Sequence, residues 1–329
     1  MTIDGAVRSR VIDELLRNLN KSYISFETAR QMEMDIRARL AKREYDGVTS
    51  ATRFAAMLQE DLQAISHDKH LRVYYSAEAI AVRQKNARPT AKERAAELFF
   101  QRRFNWGFEK VERMEGNIGY LALRSFEDPA AGVDTVASAM GTLSNTDGLI
   151  IDLRQNGGGS PAMVALLSSY FFGSRSVHLN DIYWREGNKT EEFWTKRSVT
   201  GKKYGDKPIY ILTSNTTFSA AEEFAYNLKN LKRATLIGEK TRGGANPGER
   251  VRLTEHFEVF VPMGKAVNPI TQTNWEGIGV TPDVPVPKDQ ALKTAYIMAL
   301  ETAIEKVPYE YIKAGMREII KSTQKDMAK

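Results

Sequence analysis

Pro208-Ile-Tyr-Ile-Leu-Thr-Ser-Asn-Thr-Thr-Phe-Ser219-Ala-Ala-Glu-Glu-Phe224 is the stretch from which the fold is read. Residues 208–213 form a β-branched and aromatic run of strand length, which predicts a buried strand. Over 220–231, Ala221, Phe224, Ala225 and Leu228 fall on one face and predict a helix. Ser219 stands at the junction, facing the free N–H groups of the helix's first turn. Those donors and the helix dipole can hold the negative charge of a tetrahedral intermediate beside the hydroxyl. Serine also caps helices well, and taken alone Ser219 has that plainer reading.

Outward from this junction, strand and helix signals alternate from Asn117 onward. Strands are expected over 118–123, 148–153, 209–213, 234–238 and 257–262. Helices are expected over 133–143, 161–172, 220–231 and 291–306, with a terminal helix over 309–322. Such alternation implies a mixed α/β domain with a mostly parallel sheet over residues 117–329. Residues 1–75 differ. Val7, Val11, Leu15, Leu16 and Leu19, then Ala29, Met32, Ile36 and Leu40, then Phe54, Met57, Leu58, Leu62 and Ile65 recur at helical spacing, as in a three-helix bundle. Residues 76–116 read as a connector with one helix over 91–103. It joins a basic segment (Arg83, Lys85, Arg88) to aromatics (Phe99, Phe100, Phe104, Trp106, Phe108) expected to pack over the core.

Composition narrows the function. The 329 residues are 42% hydrophobic and 27% charged, ordinary for a globular protein, and the longest apolar runs are strand-sized, which argues against membrane insertion. Cysteine is absent, excluding disulfides, thiolate zinc sites and thiol nucleophiles. The net charge of +6 is dispersed among acids rather than gathered in a basic, aromatic-rich patch, so no nucleic-acid partner is expected. Residues 1–10 lack the apolar core of a secretory signal, which leaves a cytoplasmic protein or one whose signal has been removed.

Four segments together carry chemistry: Ser66-His-Asp-Lys-His70-Leu, Asp152-Leu-Arg-Gln-Asn-Gly-Gly-Gly159, the Ser219 junction, and Trp275-Glu-Gly-Ile-Gly-Val-Thr-Pro-Asp283. A serine nucleophile needs a base and a third group that orients the base. The histidines are His67, His70, His178 and His256. The triple glycine lets backbone amides approach a ligand closely, and no Gly-Lys-Ser/Thr follows to make it a P-loop.

In this order, with Gly238-Glu-Lys-Thr-Arg-Gly-Gly-Ala-Asn246, the segments resemble the C-terminal processing, or tail-specific, serine peptidases. The likeness is to the branch related to tricorn core protease and interphotoreceptor retinoid-binding protein. It implies a ClpP/crotonase-like α/β core preceded by the helical bundle. It also implies Ser219 as nucleophile, His70 as base, Glu276 as the acid orienting it, and an oxyanion hole from the Ala220 amide with Gly158 or Gly157, Gly158 being preferred. Peptides or unfolded protein tails are the implied substrates, in an extracytoplasmic compartment, with no metal or organic cofactor. The other branch of the family uses a Ser–Lys dyad; its lysine position is here Gly244, and Lys240 lies at a variable position. Many relatives carry a PDZ domain between bundle and core, for which residues 76–116 are too few. Substrate choice then falls to the groove, aided by Arg83, Lys85, Arg88, Lys92 and Arg94.

Plainer readings stand beside these roles. His67 competes with His70 as base; His178 and His256 read as surface residues. Arg154 is expected to pair with a carboxylate, Asp152 to anchor the glycine loop, and Glu222 and Glu223 to be acids favoured by a helix dipole. A hydrophobic-ligand carrier on the same scaffold, or a peptide binder without turnover, is the rival function. A carrier has no need of Ser219, His70 and Glu276 together.

Overall fold

The computed structural model describes residues 1–82 and 89–327, so Arg83, Lys85 and Arg88 lie outside the described residues. The chain divides into two compact units: Met1–Arg88 with Ile182–Glu191 and Asn246–Val267, and Pro89–Asp181 with Glu192–Ala245 and Asn268–Lys329.

The first unit opens with α1 (Gly5–Ser22), α2 (Phe26–Ala41) and α3 (Ala51–Ser66). Side chains of Asp4, Ser25 and Ser50 accept from the first-turn amides of Val7, Thr28 and Arg53, which fixes each start. The predicted stripes are buried: Val11, Leu15, Leu16 and Leu19, then Ala29, Met32 and Ile36, then Phe54, Leu58 and Leu62. Each fully buried leucine or isoleucine contributes about 1.5–3 kcal/mol. Helix α3 stops where His67 turns left-handed (φ 54°), and β1 (Arg72–Tyr75) follows.

The second unit begins with α4 (Ala91–Arg103), whose start is closed by a reciprocal Thr90–Glu93 capping box. Its aromatics do not pack over the core as expected. Phe99, Phe100 and Phe104 are 68, 56 and 56% exposed, because Leu98, Phe99 and Phe100 are consecutive and no single helix face gathers them. Trp106 is half-buried and Phe108 buried. Residues assigned to the connector also supply β2 (Phe108–Met114).

Then come β3 (Ile118–Leu123), α5 (Val133–Leu143), β4 (Gly148–Asp152) and α6 (Pro161–Ser168), the last continued by a 3-10 turn at Ser169–Phe171. Strands β5 (His178–Trp184) and β6 (Lys189–Trp194) were not foreseen from the sequence. β7 (Ile209–Thr213), α7 (Ala220–Asn230) and β8 (Thr235–Gly238) close this passage.

The chain next supplies the first unit with β9 (Gly248–Arg252), β10 (Phe257–Pro262) and β11 (Gly264–Val267). β10 pairs antiparallel with both β1 and β9, with Val73 opposite Val259. Val73, Phe257, Val259 and Val261 join the core of α1 to α3. The expected strand over 257–262 is therefore real but lies outside the central sheet.

β12 (Val284–Pro285), α8 (Ala291–Lys306) and α9 (Glu310–Met327) finish the second unit. Its sheet runs β12-β8-β7-β4-β3-β2, parallel except for the β2–β3 pair. Ala291, Ala295, Ala299 and Ala303 on α8 are buried against Tyr120, Ile150, Leu212 and Ile237 of the sheet. One consequence positions the chemistry. β4 and β7 are neighbours in register, Asp152 opposite Leu212, so the loops leaving their carboxyl ends emerge side by side. Among the described residues, no helix is long and apolar enough to cross a membrane.

Candidate active site

The loop after β4 carries the triple glycine and the loop after β7 carries Ser219, and hydroxyl groups of the second stitch it to the first. Ser214 Oγ and Thr216 Oγ1 donate to the Arg154 carbonyl at 2.5 and 2.6 Å, and Thr217 Oγ1 donates to the Leu153 carbonyl at 2.8 Å. The Phe218 N–H donates to the Asn156 carbonyl at 3.1 Å. The two loops thus form one rigid wall.

Ser219 sits at the entry to α7 with φ 54° and ψ −123°, a backbone region that L-residues avoid at a cost of about 1–3 kcal/mol. The turn presents a half-buried side chain at the sheet edge. Gly158 closes against it: a Cβ there would lie 2.7 Å from Ser219 Cβ and 3.0 Å from the Ala220 nitrogen. Its φ of +106° also favours glycine.

The amides differ from the expectation in one respect. The Gly158 N–H, preferred from the sequence as an oxyanion donor, already donates to Asn156 Oδ1 at 2.8 Å. That side chain is buried and held by the Leu123 carbonyl at 2.9 Å. Among the described residues, the Gly157 and Ala220 amides have no protein acceptor.

Glu222 stands in the first turn of α7, where the sequence expected a dipole-favoured acid, but more than the dipole holds it. It is fully buried and its carboxylate accepts from the Ser219 N–H (2.9 Å), Gly244 N–H (2.9 Å), Gly243 N–H (2.6 Å) and Thr241 Oγ1 (2.5 Å). Burial pushes its pKa up to about 7, although the Thr241, Gly243, Gly244 and Ser219 hydrogen bonds oppose that rise. The signal was present in the sequence as Ser219-x-x-Glu222, the spacing of a capping box. Glu223 is also buried, and its pKa rises to about 8 for the same reason, opposed by a hydrogen bond to Asn180.

Glu276 lies in the same unit, half-buried. Its Oε2 accepts the Ala245 N–H at 2.5 Å and its own N–H donates to Asn274 Oδ1 at 2.9 Å. Its neighbour Trp275 is 1% exposed and donates Nε1–H to the Gly244 carbonyl at 2.7 Å. Gly244, the position of lysine in the Ser–Lys branch, is buried, whereas Lys240 is exposed.

His70 belongs to the first unit. Its side chain is 9% exposed and its ring stacks on Phe260 at 6.0 Å and 27°. Asp68, not among the expected site residues, holds the turn: Oδ1 accepts the His70 N–H at 2.9 Å and lies 3.8 Å from Nδ1. Asp68 Oδ2 accepts Asn246 Nδ2–H at 2.9 Å and the Tyr23 hydroxyl at 3.3 Å. Asp68 is 1% exposed, and burial raises its pKa against these hydrogen bonds. The Asp-x-His spacing was its signal.

His67 is exposed and caps α3. His178 and His256 are half-buried rather than surface residues. His178 stacks on Trp194 at 4.2 Å with Nε2 2.7 Å from Asp181, and His256 Nδ1 lies 3.0 Å from the Ser76 carbonyl. Arg154 pairs with Asp152 at 2.6 Å, and Tyr120 donates to the same carboxylate at 2.8 Å. Burial would raise the Asp152 pKa, but the Arg154 contacts outweigh it and hold the carboxyl low. Phe100, Phe104 and Phe108 line a cleft of about 390 Å³ with Arg103 and Arg124 on its wall.

The model for peptidase family S41 matches residues 117–286, and that for the N-terminal domain of peptidase S41 in eukaryotic IRBP matches residues 6–100. The carboxy-terminal-processing protease of Bartonella bacilliformis is 29% identical over 189 residues, which are 56% of this chain and 42% of that one. The chain spans less than half the length of the curated relatives it matches. A candidate peptidase of Parabacteroides merdae shares the fold (TM-score 0.62, 18% identical, 89% of this chain and 96% of that one). So does tricorn protease (TM-score 0.53, 15% identical, 97% of this chain and 37% of that one). With the family model covering more than half of its residues, the chain belongs to peptidase family S41.

Proposed function

We propose that this chain is a serine peptidase that hydrolyses peptides or unfolded protein tails. In this reading His70 takes the Ser219 proton and Oγ attacks the substrate carbonyl carbon. The oxyanion so formed rests on the amides of Ala220 and Gly157. His70 gives its proton to the departing amine as the C–N bond breaks. Water, deprotonated by His70, then attacks the acyl-enzyme and releases a carboxylic acid and free Ser219. Glu276 orients His70 and stabilises its charged form. The supporting observation is the strained Ser219 turn, closed by Gly158, with the amides of Gly157 and Ala220 lacking protein acceptors among the described residues. Histidine suits neutral pH without the large pKa depression a lysine base would need.

With residues 76–116 too short for a PDZ domain, substrates enter this reading through the groove, aided by the exposed Lys92 and Arg94. The same reading places the protein outside the cytoplasm.

The test is incubation of the whole chain, Ser219→Ala and His70→Ala with a denatured proteome digest, reading new peptide ends by mass spectrometry. New ends from the wild type alone are expected, with either substitution lowering the rate by about 10⁴-fold or more. No new ends from any of the three would turn the reading to a ligand-binding protein. Cleavage surviving His70→Ala would return His67 or Lys240 as base.

A further inference from the structure

A carboxylate does not belong at a fully buried helix position unless donors hold it there. Glu222 meets four, and they come from two different places in the chain. One is the N–H of Ser219; the other three are Thr241 Oγ1 and the amides of Gly243 and Gly244. The turn that supplies those three is in turn bonded to the segment that holds Glu276. The Gly244 carbonyl accepts from Trp275 Nε1, and the Ala245 N–H donates to Glu276 Oε2. Thr241 Oγ1 further accepts the Val280 N–H at 2.6 Å, beyond Glu276 in the chain. A side chain needed only to start α7 would require none of the contacts to residues 241–244. A side chain needed only to fill space would be apolar.

We infer that Glu222 is a positioning residue: its carboxylate sets the strained Ser219 turn and, through the Thr241–Ala245 turn, the place of Glu276. This rests on the peptidase reading and deepens it. The Glu222 carboxylate meets the Ser219 N–H and not the hydroxyl. It acts by fixing where two reacting groups stand, and a misplacement of about 1 Å lowers a rate by about 10²-fold.

Glu222→Gln keeps the volume but presents one acceptor oxygen where two are used, so at least the Gly243 or the Gly244 amide meets an NH₂ donor. The experiment measures kcat and KM of the whole chain on a fluorogenic peptide. Active sites are counted by fluorophosphonate labelling of Ser219, beside melting curves. A fall in kcat per labelled site of about 10- to 100-fold, with KM within about threefold, is expected. Thr241→Val, which removes one of the four donors, should lower kcat per labelled site in the same way but less, and carries the test if Glu222→Gln does not fold. A lower melting temperature with wild-type kcat per labelled site would make Glu222 structural only and overturn the inference. A wild type inert to both peptide and probe would overturn the peptidase reading, and this inference with it.

Discussion

Gly158→Ala tests whether the glycine loop exists to let Ser219 stand where it does. Two effects add. At φ +106° an alanine is strained, by about 1–3 kcal/mol. Its Cβ would also lie 2.7 Å from Ser219 Cβ, with the Ala220 nitrogen and the Phe218 carbonyl oxygen both at 3.0 Å. An ordinary contact begins near 3.4 Å, so the turn must retreat by about 0.7 Å. The wall behind it is stitched by four hydrogen bonds of 3.1 Å or less to Leu153, Arg154 and Asn156, so the displacement falls on Ser219 itself. A retreat of that size corresponds to a loss of about 30- to 100-fold in kcat. Gly157→Ala is the control. A Cβ there meets nothing within 4 Å, and the backbone N–H proposed as an oxyanion donor is retained. The assay is kcat on a fluorogenic peptide with active sites counted by a fluorophosphonate, for the wild type and both variants. Equal activity of Gly158→Ala and wild type would refute the packing argument. An equal loss in Gly157→Ala would show that the effect comes from loop composition and not from contact with Ser219.

The remaining expectations concern the buried carboxylates. Glu223 has its pKa raised by burial to about 8 from the ordinary 4.5. The folded state therefore holds a proton that the unfolded state has lost, and stability falls as pH rises from about 4.5 to 8. Glu223→Gln should remove that slope, raising the melting temperature at pH 8.5 more than at pH 5. Parallel melting curves for variant and wild type across that range would refute the assignment. Asp68→Ala removes the acceptor of the His70 N–H, of Asn246 and of Tyr23. Under the peptidase reading it should lower kcat by about 10²-fold while Ser219→Ala remains the more severe variant; an unchanged kcat would mean that the turn holds His70 without it.

The α/β class and the family were legible because both rest on local pattern. The helix predicted over 133–143 and the strands over 118–123 and 209–213 appear with those bounds: the helix buries Val136, Ala139, Met140 and Leu143 at helical spacing, and the strands are short continuous runs buried at every position. Stripes in α1 to α3 were legible for the same reason. What failed was what sequence neighbours do not decide. The aromatics of α4 were expected to be covered and are exposed, because burial depends on what lies opposite. β5 and β6 carry charged and polar residues on a half-exposed ribbon and show little apolar alternation, so they went unseen. Local pattern makes β10 one more strand of the sheet, but its partners are β1 and β9, nearly 190 residues and about 10 residues away along the chain.

By itself, the sequence determined that Ser219 would stand between a buried strand and an amphipathic helix, because hydrophobic periodicity is a property of adjacent residues. It also carried the motifs that place the chain in its family. The tertiary structure decided the rest. Parallel pairing of β4 with β7 brings Gly158 under a serine 61 residues later in the numbering, and Asn156 takes the amide that the motif alone would have assigned to substrate. Glu222 looked like any acid early in a helix until the turn at Thr241–Gly244 closed over it. Hydrogen-bond partners and burial are set by which distant segments meet, and chain-local pattern holds no record of that meeting.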